Sequence, residues 1–343
     1  MAAPNTLYIP IIAERMSAAV FLEVMRFLSD DLGLIDYIPD SSAGGDYVHL
    51  PKYGKISSGF DRLDVTGTIT TGQSAKTSTM KDQIAVVRHK GLLFEYYASN
   101  ADRAGITSEE FSAEIGRQIA IEAAKSLIVD CYNASIAAAD NCSGDHDHDP
   151  YVDTGTAGSQ VDMTADVIQS AKYLLGDLMD TLDIAVDHSK QWNDLTQSSI
   201  STAYNVPNIM GDVYRNGQFR QILGTTFITD DQIPTAAGPT TGSPTKYQAL
   251  FFRSRKNHPE GLAPLVVSFQ RPLTIYTQHV LGQQSVKFQR QPELAYAVGV
   301  RGMTWDVTHG GANPTDGAFA TATNWDDAYS HHKELGIVLL RSN

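Results

Sequence analysis

Cysteine is almost missing from this 343-residue chain, which holds only Cys131 and Cys142. The pair forms neither a C-x-x-C motif nor a disulfide framework, which suits a reducing cytoplasm and excludes a small stapled secreted domain. Charge is also scarce. Asp, Glu, Lys and Arg make up 19% of the chain against 42% hydrophobic residues, below the usual quarter, so much of the surface is uncharged, as in a subunit covered by neighbours. Positive charge is the scarcer sign, and 26 Lys and Arg against 39 Asp and Glu leave a net charge of −13. The densest basic run, Arg253–Lys256, is a short solvated loop, so the chain as a whole does not seek nucleic-acid phosphate. No apolar run approaches the length of a membrane span. The start, Met1 to Thr6, lacks the basic and apolar regions of a signal peptide. The expectation is a protein made and kept in soluble form, without a membrane partner. No internal repeat of fixed period is present, which excludes a solenoid.

What is present is an order of elements. The stretch from Gly67 to Lys81 is rich in Thr, Ser and Gly and has almost nothing to bury; compact domains rarely carry such a stretch unless something outside holds it. Before it, Tyr47 to Leu50 reads as a short strand ended by Pro51. After it, Ile84, Val86, Leu92, Phe94 and Tyr96 share one face at a spacing of two, with Arg88 and Lys90 breaking that face. The pattern predicts a long hairpin whose base packs and whose tip, around Thr71, Gln73, Lys76 and Thr79, does not. Then comes a capping box, Thr107 with Glu110, opening a helix. Phe111, Ile115, Ile119, Ala123, Leu127 and Cys131 recur along it, and Ile128, Tyr132 and Ile136 widen the stripe. A run from Thr107 to about Ala139 is close to 50 Å long at about 1.5 Å per residue, a spine rather than an ordinary domain helix.

Elsewhere, Tyr8 to Ala13 reads as a short apolar arm. Glu14 to Leu32 reads as a helix with Ala18, Phe21, Leu22, Met25 and Leu28 inward, stopped by Gly33. Asp140 to Gln160 is an acidic loop, and Thr164 to Met179 an amphipathic helix. Ile184 to Val186 is a buried-type strand, after which Gln191 to Leu195 is helical. Strands are expected at Thr225–Thr229, Tyr247–Phe252, Leu265–Phe269, Leu273–Thr277, Tyr296–Trp305 and Leu335–Leu340. The class is α+β.

The hairpin from Tyr47 to Tyr97, the spine from Thr107, the strand and His188–Ser189 corner, the Gly224–Asp231 strand and the Val300–Asp306 strand stand in an order that resembles tailed-bacteriophage major capsid proteins of the Hong Kong 97-type shell fold. The resemblance covers nearly the whole chain by pattern and order, without an invariant short motif. It implies a Hong Kong 97-type capsid fold with an N-terminal arm, extended β-hairpin loop, peripheral domain with long spine helix, and axial domain. The implied division is 1–45 arm and helix, 46–98 hairpin loop and base, 99–160 spine and acidic loop, 161–290 axial domain, and 291–343 peripheral return strands and C-terminal element. The tail from Thr308 reads as an added surface or contact element. The implied function is a structural one: self-assembly into the icosahedral head shell of a virion enclosing double-stranded DNA, made in the host cell cytoplasm. The implied partners are copies of the chain in pentamers and hexamers, a separate scaffolding protein, a portal and a decoration protein, with DNA enclosed but not read by sequence. The subunit-contact candidates are Thr71, Gln73, Lys76, Thr79, Met80 and Lys81 on the hairpin and Tyr8, Ile9 and Ile11 on the arm. Some relatives weld subunits through a hairpin Lys; no such crosslink is expected from Lys76 or Lys81, and no cofactor is implied.

Two chemical readings stand beside this one. Asp187, His188 and Ser189 are triad residue types, but adjacent residues do not converge on one substrate, and no G-x-S-x-G elbow lifts Ser189; Ser189 or Asp187 is expected to cap the following helix. Asp145, His146, Asp147, His148 and Asp149 are the metal candidates, set against a solvated acidic loop as the plainer reading. Their spacing lacks the Gly and terminal Glu of a calcium loop and a third zinc ligand. The alternatives to a capsid are therefore an encapsulin-type nanocompartment shell, a soluble metal-binding hydrolase, and a capsid decoration or tail protein.

Overall fold

A computed structural model describes residues 10–38, 45–53, 80–97, 107–142, 144–150, 161–203, 220–237, 245–258, 260–280, 287–329 and 331–342. Its axis is the helix Ser108–Asn141, 34 residues long and opened by the expected capping box, with Thr107 accepting from the Glu110 amide and Glu110 reaching back. Ile119, Ala120, Ala124 and Leu127 form a stripe along its middle. From Cys131 to Ala139 every position is buried, Asn133 and Ser135 included, so this end runs through the core, as a predominantly small and apolar helix does.

A first helix, Pro10–Arg26, lies along the spine and ends in a π-helical turn, Phe27–Asp31. Gly33, at φ +68°, stops it as expected. The helix starts earlier than Glu14, so Ile11 and Ala13 belong to it rather than to an extended arm; Tyr8 and Ile9 lie outside the described residues. Its inward face is Ala13, Ser17, Phe21 and Met25. Ala18 and Leu22, expected inside, point outward, and Leu22 is 66% exposed. The register is set by Gly116, the one spine glycine: a Cβ there would stand 2.4 Å from the Ala13 carbonyl oxygen, so the two helices cross where neither carries bulk.

The first sheet has the order β1-β10-β11-β3-β2, with β4 also paired to β11. Its strands are β1 (Ile35–Ile38), β2 (Tyr47–Tyr53), β3 (Met80–Gly91), β4 (Phe94–Tyr97), β10 (Leu265–Val280) and β11 (Lys287–Val300). β2 and β3 are the antiparallel base of the expected hairpin, paired from Tyr47↔Val86 to Tyr53↔Met80. Pro51 does not end β2. It sits inside an edge strand, where its missing N–H costs the ladder nothing. The two strands expected around Pro272 are one strand, β10, that absorbs register shifts between Phe269 and Thr274, and such bulges are where a sheet tolerates proline. The run expected from Tyr296 to Trp305 is instead two strands, because Gly302 turns the chain at φ +97°.

The second sheet has the order β5-β14-β9-β6-β8-β7: β5 (Asp147–His148), β6 (Ile184–Asp187), β7 (Arg220–Ile222), β8 (Thr225–Thr229), β9 (Tyr247–Phe252) and β14 (Ile337–Ser342). Beside it lie the helix Ala165–Tyr173, capped by Thr164, and the helix Ser189–Ala203. The first of these is shorter than the expected Thr164–Met179, since the chain passes into a 3-10 turn at Gly176, φ +55°. Sheet membership cuts across the division by sequence. Residues 161–290 and 291–343 each supply strands to both sheets, and β14, the last strand, lies between β5 and β9 because Ile337 to Leu340 are fully buried on both faces.

The tail from Thr308 is not only an added surface: its residues 308–327 are mostly exposed, but Phe319, Trp325 and Leu335 to Leu340 are buried in the core. A small ribbon, β12 (Met303–Trp305) with β13 (Trp325–Asp327), brings Trp305, Phe319 and Trp325 together at ring separations of 5.3–5.7 Å, all at most 1% exposed. Gly116→Ala tests the helix crossing. It gains helix propensity but forces a methyl group into the Ala13 backbone, and is expected to destabilise the protomer by about 1–3 kcal/mol. Gly317→Ala, where nothing lies within 4 Å, serves as the neutral control; urea unfolding midpoints that are equal for the two variants would contradict the close crossing.

Candidate functional site

The hairpin base meets the spine through charge. Along β3, Val86 and Arg88 point to the spine side, and Arg88 is only 2% exposed, so the residue expected to break the apolar face is buried within it. Its guanidinium pairs with Asp130 of the spine, itself 1% exposed, and with Asp316 in the turn Asp316–Phe319. It also lies 4.6 Å over the Phe319 ring, a cation–π contact that a delocalised guanidinium makes at little desolvation cost. Lys90 Nζ stands 2.6 Å from Asp316 and 3.4 Å from Asp130. Tyr296 of β11 donates its hydroxyl to Asp130 at 2.6 Å. Two cations thus face two carboxylates, and one phenol fills the remaining acceptor site.

Burial pushes the Asp130 carboxyl up from its ordinary value, against the pull of Arg88 and the Tyr296 hydroxyl. Asp316, largely in solvent, is held below the ordinary value by Lys90 and Arg88. The cluster holds no activated nucleophile. It ties the hairpin base, the spine, β11 and the C-terminal turn to one point. Sequence reasoning found Arg88 and Lys90 but missed Asp130, Tyr296 and Asp316. The available signal was a lone Asp inside the apolar Leu127–Tyr132 segment, which needs a buried counter-charge.

The acidic loop is occupied by protein partners. Asp147 and Asp140 pair with Arg341 of β14, and Asp149 pairs with Lys246. His146, fully buried, faces the Ile337 and His332 carbonyls through its two ring nitrogens at 2.7 and 2.8 Å. Asp145 is exposed, 3.9 Å from His332 Nδ1, and His148 is half-buried. The loop adds an edge strand to the second sheet instead of curling round an ion. Among the described residues no group of three or more His, Cys, Asp or Glu is arranged to hold a metal.

At the triad-like corner the helix cap is His188, whose Nδ1 accepts from the Lys190 amide at 3.2 Å, while the Ser189 amide donates to Asp231. Ser189 and Asp187 are not the cap. The expected hairpin contacts Thr71, Gln73, Lys76 and Thr79 lie outside the described residues. Met80 and Lys81 begin β3, opposite Tyr53 and Lys52. Ile11 is 59% exposed on the first helix.

Arg88→Met leaves Asp130 buried without its main counter-charge and is expected to cost about 3–5 kcal/mol, whereas Asp316→Asn, at an exposed carboxylate, costs less than about 1 kcal/mol; similar urea midpoints for both would contradict a buried pair. Burial, reinforced by Asp140 and Asp149 and opposed by Arg341, pushes Asp147 up to about 6. Folding takes up a proton there between the unfolded value, near 3.8, and about 6, so this group makes stability fall as pH rises through that window. Asp147→Asn is expected to remove that fall, read as urea unfolding free energy at pH 4.5 and pH 7; an unchanged difference would refute it.

Residues 31–339 match a family model described as Gp13-like, major capsid protein 13-like. None of the curated proteins matches the chain. Among solved structures it is similar to the capsid of Ralstonia phage GP4, at 10% identity and TM-score 0.53 over 90% of this chain and 87% of that one. It is also similar to the cyanophage Pam1 capsid asymmetric unit, at 12% identity and TM-score 0.57 over 93% of both chains. A third likeness is to Mycobacterium phage Adephagia, at 11% identity and TM-score 0.50 over 94% and 89%. At these identities the likenesses show the fold, the Hong Kong 97-type capsid fold expected from the order of elements. A family match of this extent does not favour the nanocompartment or hydrolase alternatives, and the role it gives is structural. The chain belongs to the Gp13-like family of major capsid proteins, the subunits of a phage head shell.

Proposed function

We propose that copies of this chain close into pentamers and hexamers of an icosahedral head that encloses double-stranded DNA, with the hairpin of each copy laid over its neighbour. The supporting observation is the β2–β3 ribbon. It runs along the sheet edge, is paired as far as Tyr53 and Met80, and leads into residues 54–79, whose tip offers Thr, Ser, Gly and Lys with little to bury against its own protomer. Ordering such a segment has a conformational cost that buried surface on a second copy offsets. Many modest symmetric contacts then sum by avidity. In this reading the first sheet with the spine forms the peripheral body and the second sheet the axial body around the capsomer centre.

A net charge of −13 gives a wall that does not grip phosphate, so DNA can be pumped in and released without sequence-specific contacts. The chain performs no catalysis; a separate scaffolding protein guides assembly in the host cytoplasm, a portal occupies one vertex, and a decoration protein binds outside. Deleting Gly72 to Thr79 is expected to abolish or deform particles seen by negative-stain microscopy while leaving the urea midpoint of the protomer unchanged. Intact particles from that deletion would rule out the hairpin as a clamp.

A further inference from the structure

His146 is fully buried, and each of its ring nitrogens meets a backbone carbonyl: Nδ1 lies 2.7 Å from the Ile337 oxygen and Nε2 2.8 Å from the His332 oxygen. Carbonyl oxygens only accept, and a neutral imidazole carries one N–H, so both contacts are hydrogen bonds only when the ring holds two protons. On a neutral ring, a bare nitrogen faces a carbonyl lone pair away from water. One contact must then open. The two acceptors are not equally held. Ile337 is fully buried in β14, paired with Phe252 of β9. His332 opens a single 3-10 turn, His332–Glu334, and its carbonyl also accepts from the Leu335 amide at 3.0 Å, so it keeps a donor when it leaves His146. We infer that this turn is a proton-operated latch beside β14, closed on the His146 imidazolium in acid and released from Nε2 when the ring is neutral.

The surrounding charges are few. Asp145, 3.9 Å from His332 Nδ1, favours the His146 cation, while the His332 ring, 5.8 Å away and stacked near His331, opposes it. Lys333 and Glu334 of the turn answer to Asp177 and Arg253, and Arg341 of β14 is paired with Asp140 and Asp147. On the helix Ala165–Tyr173 beside β5, Asp166 is exposed and Lys172 is turned to the Leu223 carbonyl and the Thr225 hydroxyl. Burial pushes the His146 ring below its ordinary value in either position of the turn, since β14 covers it in both; the His332 carbonyl raises it only when the turn is closed. The closed form therefore binds the proton more tightly, and falling pH closes the latch.

Hydrogen exchange of the full chain is measured at pH 4.5 and pH 8, corrected for intrinsic rates. The Glu334 and Leu335 amides, which donate to the His331 and His332 carbonyls, are expected to be about tenfold better protected at pH 4.5, as loss of one hydrogen bond to a charged group predicts. His146→Gln, which carries no charge, is expected to remove that difference. In magic-angle-spinning 15N spectra of histidine-labelled chain, the signals deleted by this variant are expected to show two N–H nitrogens at pH 4.5 and one at pH 8. Should His146→Gln not fold, the double variant His331→Gln, His332→Gln decides, because it keeps the His332 carbonyl and is expected to keep the wild-type difference in exchange. Equal protection at both pH values, a difference that survives His146→Gln or is lost in the double variant, or an unchanged proton count on the ring overturns the latch.

Discussion

The pairing of Arg88 with Asp130 fixes where the hairpin base sits on the spine. Both groups are almost without solvent, so neither tolerates the loss of the other, and the geometry in which they meet is narrow. Replacing the pair by apolar residues need not cost stability, but it removes the reason for β3 to sit at one height on the helix. Asp316, Lys90 and Tyr296 extend the constraint to the C-terminal turn and to β11. The base strands β2 and β3 are thereby tied at one point to the spine, to β11 and to the turn at Asp316.

Features encoded within a few neighbouring residues were legible in the sequence. The spine was, because its capping box and recurring apolar positions are local signals, and so was β9, a continuous apolar run between loops. Gly33 as a stop followed from its conformational freedom. The order of elements carried the fold class even without a motif, and the family match over residues 31–339 agrees with it.

Features that depend on distant partners were not legible. Arg88 looked like an interruption because its partners, at Asp130 and Asp316, come from other parts of the chain. The acidic loop read as a solvated loop or a weak ligand cluster, and not as part of a sheet, because Arg341 and Lys246, which neutralise it, lie far along the sequence. The tail read as an added surface or contact element because Phe319 and Trp325 are diluted among small polar residues, and only folding brings their rings against Trp305. On the first helix Phe21, Met25 and Leu28 face the core as expected, while Ala18 and Leu22 do not, because Ala13 and Ser17 take the close approach to the spine.

β14 follows every other strand of the second sheet in sequence, yet it lies inside that sheet, hydrogen-bonded to β9 on one side and β5 on the other. Until Ile337 to Ser342 have been synthesised, β9 has an open edge and Asp140 and Asp147 lack Arg341. Without β14 the sheet is left with a gap and with uncompensated negative charge beside it. The second sheet is thus closed by a segment far away in sequence from β5, the strand at its edge, so its two halves depend on each other for both hydrogen bonds and charge.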